Sequence, residues 1–437
     1  MEEIFKNNVP VQSEASVLAV KQYNPSTHDV FDKIKRPDKT VYEAILDSNG
    51  DEIKDDEGKV QYKTKTVLVN RVAVSMQQII VSLRKHFMNL RGSELSTDNE
   101  QSTLLDAVIR QRKEVKYNYK IEEVATRVMS ELQCAEMWWY DEDGKIKMRV
   151  LSPEKGDLLL PIFDKDNNDM TAFVRQYTVD DETLTDIFTA KENATFDSKG
   201  NIVKSWTNKW GKIPIVYYSQ LLPEWYNVQN IIDRFEKLVS NFGDTNDYNG
   251  SPITVVKGDV VGFASKEQAG KTVQMESDAD MKYLTWDSAP EAIKLELDEL
   301  KRLMYSMSHT PDISMEALKG QGLSGVAFDR VFIDAQMTAE AKLNGDFGES
   351  MQRSVNLVSA MLRSIGSYTD DYIDIETQAY RFDDLSEFVK NIVQLDGVLS
   401  DESRTKMIAS RFGIKEKDEW ERVKAENDML SVEQAEG

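Results

Sequence analysis

The strongest hydrophobic periodicity lies in the middle of the chain, where apolar residues recur at three- and four-residue spacing. This pattern predicts an amphipathic helix over residues 224–242, opened by Pro223. The polar residues 243–250 are expected to end it. The apolar face of the helix is formed by Val228, Ile231, Ile232, Phe235, Leu238, Val239 and Phe242.

A second amphipathic helix is predicted from Pro290 onward. Pro311 is expected to close it, because proline lacks an N–H and disfavours helical geometry in the residue before it. Its apolar face carries Ile293, Leu297, Leu300, Met304 and Met307 at spacings of four and three. A small β-containing insertion separates the two helices, with short strands predicted at residues 253–256, 260–263 and 273–275.

A glycine-rich loop follows the second helix. Gly320, Gly322 and Gly325 lower the conformational cost of a tight loop, and Ser324 can cap a helix that restarts at about residue 325 or 326. The loop is thus held between two helices, an arrangement suited to presenting backbone to a partner.

The third helical pattern continues to about residue 364. Gly345 and Gly348 interrupt it, and glycine pairs are a known cause of sharp kinks, so a bend is predicted at residues 344–348. Its apolar positions are Phe328, Val331, Phe332, Ala335 and Ala339 before the bend, and Met351, Val355, Leu357, Val358, Met361 and Leu362 after it. Residues 385–423 are again helical in pattern, and the polar residues 431–437 are expected to fray.

The first half of the chain alternates between helix and strand patterns and predicts a mixed α+β domain. Turn-rich residues 47–50 and 55–58 flank a peripheral β-hairpin within residues 1–60. Helices are predicted at residues 72–87, 103–117 and 121–132. Val72, Met76, Ile79, Ile80 and Leu83 are expected to share one face of the first of these helices.

Strand patterns then dominate up to Tyr218. Residues 136–140 and 146–151 predict a hairpin closed by the turn at 141–144. Further strands alternate with turns, whose tips are expected at residues 164–169 and 197–200.

Several of these segments together resemble the portal proteins of tailed bacteriophages. In that family a stem helix is followed by Pro-Asp, a short loop and Ser-Gly-Val-Ala, which in this chain are Pro311 with Asp312 and residues 324–327. Residues 131–153 look like the family's wing hairpin, although Cys134 or Ala135 stands where a glycine is usual. Residues 212–216 look like the entry to the stem, and residues 395–400 look like part of the C-terminal helical region. The matches occur in the family's order, which makes them specific together.

The resemblance implies an α+β portal-like fold with a mixed α/β wing, a two-helix stem, a small β-containing clip, a long kinked helix and a helical crown. The implied ranges are 1–222 for the N-terminal part of the wing, 223–248 and 290–310 for the stem helices, 249–289 for the clip, 311–325 for the channel loop, 326–384 for the kinked helix and return to the wing, and 385–437 for the crown.

The resemblance also implies a function and partners. Portal proteins form a ring, of twelve subunits in the virion, at one capsid vertex. The ring is the channel for double-stranded DNA during packaging and ejection. The implied partners are identical subunits, the major capsid protein, the terminase large subunit, head–tail adaptor or neck proteins, a scaffold protein and DNA held non-specifically and transiently. The implied location is the virion, with assembly in the host cytoplasm.

In such proteins the channel loop touches the DNA that is being packaged. The corresponding residues of this chain are Lys319, Gly320, Gln321, Gly322 and Ser324. Lys319 is the only Lys or Arg between Pro311 and Ser324, so transient phosphate contacts are expected from it. A solvated loop lysine is the competing interpretation.

Composition limits the possible classes without reference to any family. A chain of 437 residues exceeds the roughly 250–300 at which one core stops growing, so several domains are expected. No apolar run approaches the ~20 residues that span a bilayer, and the first residues lack the apolar core of a signal peptide, so no membrane association is expected. The net charge of −22 argues against a protein that grips nucleic acid, yet it suits a largely repulsive channel wall.

Candidate catalytic, cofactor and metal motifs are weak. Residues 269–272 resemble part of a phosphate-binding loop, but Ser265 stands where that motif needs glycine. Asp47, Asn49 and Asp51 have calcium-loop spacing without the required glycine, and a surface hairpin explains them better. The single cysteine, Cys134, is expected to be a small buried residue.

The histidines add no metal site, because His28, His86 and His309 are widely separated and lack ligand spacing. We therefore predict a non-enzymatic structural protein without cofactor, catalytic or metal residues. The alternative is a carboxylate- and metal-dependent nucleic-acid enzyme of phage origin, which would require a divalent-metal site.

Overall fold

The computed structural model describes residues 1–48, 52–166, 169–249, 253–257, 260–262, 274–275, 280–284, 290–314, 325–381, 385–395, 397–412, 414 and 419–426. These residues form helices and antiparallel sheets, so the mixed helix and sheet class is confirmed. The chain divides into two compact units, Met1–Asp312 with Met337–Ala379, and Ile313–Gln336 with Tyr380–Gly437.

The helices follow one another along the whole chain. In chain order they are α1 (Glu2–Asn7), α2 (Glu14–Tyr23), α3 (Met76–Met88), α4 (Thr103–Glu114), α5 (Tyr117–Glu131), α6 (Gln229–Asn249), α7 (Pro290–Met307), α8 (Gly325–Leu343), α9 (Asp346–Ile365), α10 (Leu385–Gln394) and α11 (Asp401–Phe412). Residues 419–426 are also helical. Short 3-10 turns lie at Pro25–Thr27, Asp29–Phe31, Leu90–Gly92, Pro153–Lys155 and Tyr226–Val228.

The strands form several antiparallel sheets. They are β1 (Lys39–Ala44), β2 (Tyr62–Val67), β3 (Glu94–Ser96), β4 (Gln133–Tyr140), β5 (Ile146–Leu151), β6 (Leu158–Phe163), β7 (Met170–Val179), β8 (Glu182–Thr189), β9 (Glu192–Phe196), β10 (Ile202–Thr207), β11 (Ile215–Ser219), β12 (Ile253–Lys257), β13 (Val260–Gly262), β14 (Gln274–Met275), β15 (Asp280–Leu284) and β16 (Asp374–Glu376). A five-stranded sheet has the order β10-β9-β8-β7-β6, and a three-stranded sheet has the order β11-β4-β5.

Neighbouring residues of β7 point to opposite faces of the five-stranded sheet, as the two-residue period of a strand requires. Phe173 belongs to a core shared with the three-stranded sheet through Ala135 and Ile215. Val174 belongs to a second core, against which Phe5 of α1 packs. The Phe5 ring stacks on Phe196 with ring centroids 4.9 Å apart. Both faces of the sheet are therefore covered.

Both predicted hairpins of the first half are present, but the first extends beyond residue 60, because its second strand is Tyr62–Val67. β1 and β2 pair with Lys39 opposite Val67, and isolated bridges beyond Ala44 extend this exposed ribbon. β4 and β5 pair with Tyr140 opposite Ile146. Cys134 of β4 is fully buried, as expected.

The helix boundaries of the first half need correction. α3 begins at Met76 rather than at residue 72, and Ile79 is exposed instead of sharing the buried face. α4 ends at Glu114 and α5 begins at Tyr117, because Lys116 takes a left-handed conformation with φ of 56°. Left-handed geometry cannot continue a right-handed helix, so the chain turns there.

The ends of the long helices differ from the prediction at α6 and agree with it between α8 and α9. α6 does not end at residue 243 but continues to Asn249, and it starts after the 3-10 turn at Tyr226–Val228. The break between α8 and α9 falls where the glycine pair predicts it. A Cβ on Gly348 would lie 1.7 Å from the carbonyl oxygen of Leu343, so this bend needs glycine.

The insertion between α6 and α7 contains the expected short strands. β12 pairs with β15, a strand that the sequence pattern did not reveal. β13 pairs with β14. The predicted fraying at residues 431–437 lies outside the described residues. The apolar positions predicted for α9 are all buried, namely Met351, Val355, Leu357, Val358, Met361 and Leu362.

The centre of the core contains a fully buried carboxylate, Glu136 of β4. Its Oε1 accepts hydrogen bonds from the hydroxyls of Tyr117 (3.0 Å) and Tyr218 (2.8 Å). Its Oε2 accepts from Trp138 Nε1 (3.0 Å) and Ser354 Oγ (2.5 Å). Burial raises the pKa of the carboxyl, and the four hydrogen bonds oppose that rise. One side chain thus joins α5, β4, β11 and α9.

We expect Glu136→Gln to destabilise the protein by about 1–3 kcal/mol, the usual cost of leaving a buried polar group unsatisfied. The amide keeps the volume, but its NH2 donates where the surrounding groups also donate. The shift in urea midpoint at pH 7 measures the effect. The control is Glu114→Gln at an exposed position, which should change the free energy of unfolding by no more than about 0.5 kcal/mol. Equal midpoints for the two variants would contradict this role of Glu136.

Candidate functional site

The loop predicted to contact DNA lies outside the described residues. This applies to each of its predicted residues, Lys319, Gly320, Gln321, Gly322 and Ser324. The structure does describe the chain on both sides, from α7 to Ser314 and from Gly325 onward. The candidate site is therefore built from the α6–α7 hairpin and the groups that hold it.

α7 ends at Met307, four residues before Pro311, which corrects the expected boundary. The N–H of Thr310 donates to Tyr305 (3.0 Å) and that of His309 donates to Ser306 (3.3 Å). His309 is left-handed with φ of 52°. These two bonds around a left-handed residue form a Schellman motif, which ends the helix by itself. Proline after such a motif prevents the helix from resuming.

The segment after α7 is held against the hairpin. Thr310 and Pro311 are buried. The carboxylate of Asp312 lies 3.3 Å from the ammonium of Lys301 on α7. Lys301 is partly exposed, so this ion pair adds little stability. Its main effect is to fix the direction in which the chain leaves α7. The entry to the predicted loop is consequently well defined.

Both ends of the hairpin meet at Glu224, whose side chain is 7% exposed. Its carboxylate lies 3.3 Å from Arg84 Nε of α3 and 2.6 Å from Lys342 Nζ of α8. Arg84 also donates from Nη2 to the carbonyl oxygen of Ser308 at 3.0 Å. Burial lowers the pKa of Arg84, and the charge of Glu224 opposes that shift. Removing one partner of such a buried pair costs about 3–5 kcal/mol, so this cluster fixes the base of the hairpin.

A polar stripe on α6 holds the same helix along its length. The stripe consists of Glu236, Ser240 and Asp244, spaced four residues apart on one face. These side chains accept hydrogen bonds from backbone N–H groups of residues 68–75, which belong to neither helix nor strand. The bonds come from Val74 to Glu236 (2.9 Å), Val72 to Ser240 (2.9 Å) and Asn70 to Asp244 (2.6 Å).

The stripe lies at two boundaries that the sequence pattern misplaced. Val72 and Val74 precede α3, and their N–H groups donate to side chains of α6. Gly243 lies beside the stripe, and a Cβ there would be 3.3 Å from the Asn70 side chain. The absence of a side chain at residue 243 lets the extended segment approach the helix closely.

The buried His28 adds an ion pair to the stripe. Its Nδ1 lies 2.7 Å from Glu236 Oε1, and its Nε2 lies 2.7 Å from the carbonyl oxygen of Gln22. A carbonyl oxygen and a carboxylate both accept hydrogen bonds, so this pair of contacts favours the doubly protonated, charged imidazole. Sequence reasoning missed this role, because His28 and Glu236 are 208 residues apart.

The pKa of His28 is raised above its ordinary value of about 6.5. Burial acts to lower it, but the hydrogen bond and charge of Glu236 outweigh burial, and Asp233 adds a further negative charge. For a base with a raised pKa, the stabilisation is fully present below the unfolded value and is lost as pH rises through the folded value. The pair therefore weakens above about pH 6.5.

We expect His28→Gln to cost about 1.5–3 kcal/mol of unfolding free energy at pH 6, because a hydrogen bond between charged groups is lost. The difference from the wild type should shrink as pH rises from 6 past the ordinary value of about 6.5, since the wild type then loses the imidazolium. Urea unfolding across this range tests it. The exposed His86→Gln serves as the control; an unchanging difference for His28→Gln would contradict a charged His28.

The hairpin itself is only partly covered within one chain. Ile232 and Met304 are buried, whereas Leu295 of α7 is 71% exposed and Met307 is 45% exposed. Several residues of the predicted faces are half-buried, namely Ile231, Phe235, Leu238, Val239, Phe242, Ile293, Leu297 and Leu300. Arg234 and Glu296 form an exposed ion pair across the hairpin at 2.6 Å. Apolar surface rimmed by charge is typical of an association surface.

Several observations bear on the enzymatic alternative. In the part of the chain that the structure describes, no three His, Cys, Asp or Glu side chains are grouped to hold a metal ion. Burial raises the pKa of the Cys134 thiol, which disfavours the reactive thiolate. Residues 269–272, and Asn49 with Asp51, lie outside the described residues. No described helix has the length and apolarity for a membrane span.

The family described as "Phage portal protein, SPP1 Gp6-like" matches residues 32–432 of the chain. This match covers most of the chain, and the class that it defines is that of structural proteins of the phage virion. The chain belongs to the SPP1 Gp6-like portal protein family, which confirms the resemblance in the sequence. The family is structural, which favours the non-enzymatic interpretation over the metal-dependent enzyme.

Solved structures of gene transfer agent (GTA) particles are similar to the chain. One chain of the native virion is 12% identical with a TM-score of 0.41, and the alignment covers 77% of this chain and 89% of the virion chain. One of the native neck with C12 symmetry has 13% identity and a TM-score of 0.41, covering 76% and 92%. One of the empty-particle neck with C6 symmetry has 13% identity and a TM-score of 0.42, covering 95% and 98%. No curated protein matches the chain.

Proposed function

We propose that this protein forms a ring of twelve copies at one capsid vertex and is the channel for double-stranded DNA during packaging and ejection. The observation that carries the proposal is the portal family match over residues 32–432. The partly covered apolar faces of α6 and α7 support it. A closed ring repeats one heterologous contact, so every copy can cover these faces on its neighbours.

The proposal assigns a role to each part of the chain. Residues 1–222 form the N-terminal wing, 223–248 and 290–310 the stem, 249–289 the clip, 311–325 the channel loop, 326–384 the kinked helix and return to the wing, and 385–437 the crown. The buried clusters at Glu224 and along α6 fit a stem that must keep its angle to the wing under load. The pairing of β12 with β15 fits a separate clip lobe.

The partners follow from this arrangement. The clip docks the terminase large subunit during packaging and head–tail adaptor or neck proteins afterwards. The major capsid protein and a scaffold protein surround the ring, which assembles in the host cytoplasm and remains in the virion. ATP hydrolysis belongs to the motor. A divalent-metal-dependent nuclease activity of a monomer or dimer would instead favour the alternative enzyme.

We expect the purified chain to form a ring with a central hole, more readily as salt rises from low to physiological concentration. The net charge of −22 per copy opposes association at low salt, and screening shortens its reach to about 8–10 Å near physiological salt. Native mass measurement and negative-stain imaging across a salt series test this. A monomer or dimer at every salt and protein concentration, even with capsid or scaffold protein added, would defeat the ring.

We further propose that Lys319 of the channel loop makes transient contacts with DNA phosphates. Lys319→Glu should leave ring mass unchanged and reduce the amount of nuclease-protected DNA in filled heads, because it repels phosphate in a narrow channel. Lys319→Arg keeps the charge and should package normally. Normal packaging by Lys319→Glu would remove this residue from the mechanism.

A further inference from the structure

A basic cavity of about 510 Å³ lies at the junction of α4 and α5. Its wall includes Arg112 and Lys113 from the last turn of α4, and Lys116 from the link between the helices. Glu94 is the one carboxylate among the residues that line the wall, so positive charge dominates there. The volume falls within the ~300–1,000 Å³ typical of ligand sites.

This charge is unusual for the chain. Residues 110–120 contain five Lys or Arg and one Glu, whereas the whole chain carries a net charge of −22. Within the described residues no salt bridge involves Arg112, Lys113 or Lys116. Lys113 and Lys116 are exposed. The positive groups of the cavity are therefore available to an external anion.

The surrounding groups favour a phosphate-bearing ligand. Arg112 is held over the Tyr117 ring at 4.2 Å, which orients its guanidinium. Arg91 lies 5.2 Å from the ring of Tyr119, which is 67% exposed beside the cavity. The first two N–H groups of α5, those of Tyr117 and Asn118, have no side-chain cap, and both residues line the cavity. Guanidinium, ammonium and N–H groups together are the usual ligands of phosphate.

We propose that this basic cavity binds backbone phosphates of duplex DNA, as a second DNA contact separate from the channel loop. The inference rests on the proposed function, because the portal supplies duplex DNA as the phosphate source. The net charge of −22 excludes strong general attraction to DNA, so binding depends on these few cations and is weak and sensitive to salt.

The salt dependence gives the test a magnitude. Each phosphate neutralised contributes about −0.9 to the slope of log affinity against log salt. Lys113→Gln with Lys116→Gln should therefore make the slope shallower by about 1.8. Between 50 and 200 mM KCl the wild type should lose about 12-fold more affinity than this double variant.

The experiment uses the full-length chain, a 30-base-pair duplex and fluorescence anisotropy at several KCl concentrations. Lys191→Gln with Lys199→Gln is the matched control, because it removes the same charge from exposed lysines that do not line the cavity. The control should keep the wild-type slope. Ring mass is measured for every variant, so a failure of assembly is seen separately from a failure of DNA binding.

Each remaining outcome overturns the inference. Equal changes in slope for both double variants would show a general charge effect. A changed ring mass with an unchanged slope would assign the cavity to subunit contact. Binding of inorganic phosphate without duplex binding would identify a free-anion site. A normally assembled wild type that binds no duplex at 50 mM KCl would overturn the DNA contact while leaving the proposed portal function intact.

Discussion

The structure depends on how residues 68–75 satisfy their backbone N–H groups. Buried N–H groups need acceptors, and these residues have no strand partner among the described elements. α6 supplies the acceptors through Glu236, Ser240 and Asp244. Two residues of extended chain advance about 6.6 Å, and four residues of helix advance about 6.0 Å, so alternate N–H groups stay in register with one helical face. The small glycine at residue 243 lets the two segments approach closely in this contact.

Buried acids fix the first unit at three places. Glu136 joins the sheet to the helices that cover it, Glu224 joins the two ends of the hairpin, and Glu236 joins α6 to the N-terminal segment. Each carboxylate is surrounded by donors that come from distant parts of the sequence. Because an unpaired buried charge is very costly, each cluster forms only when all of its segments are in place. This cooperativity gives the long α6–α7 hairpin a rigid base.

Charge outside the core is distributed unevenly. The chain is strongly acidic, and its cations are mostly paired or dispersed, except around the cavity between α4 and α5. A repulsive surface with a few placed cations lets a polyanion move without sticking.

The amino-acid sequence by itself determined the amphipathic helices, the early hairpins and the glycine bend after Leu343, because these depend on local periodicity and turn residues. The order of its motifs also determined the family. The tertiary structure alone decided that α6 passes through Gly243, that α7 ends at Met307 before a Schellman motif centred on His309, and that His28 is a buried partner of Glu236. These features depend on contacts between residues far apart in sequence, and a hydrophobic pattern carries no information about which polar groups will meet.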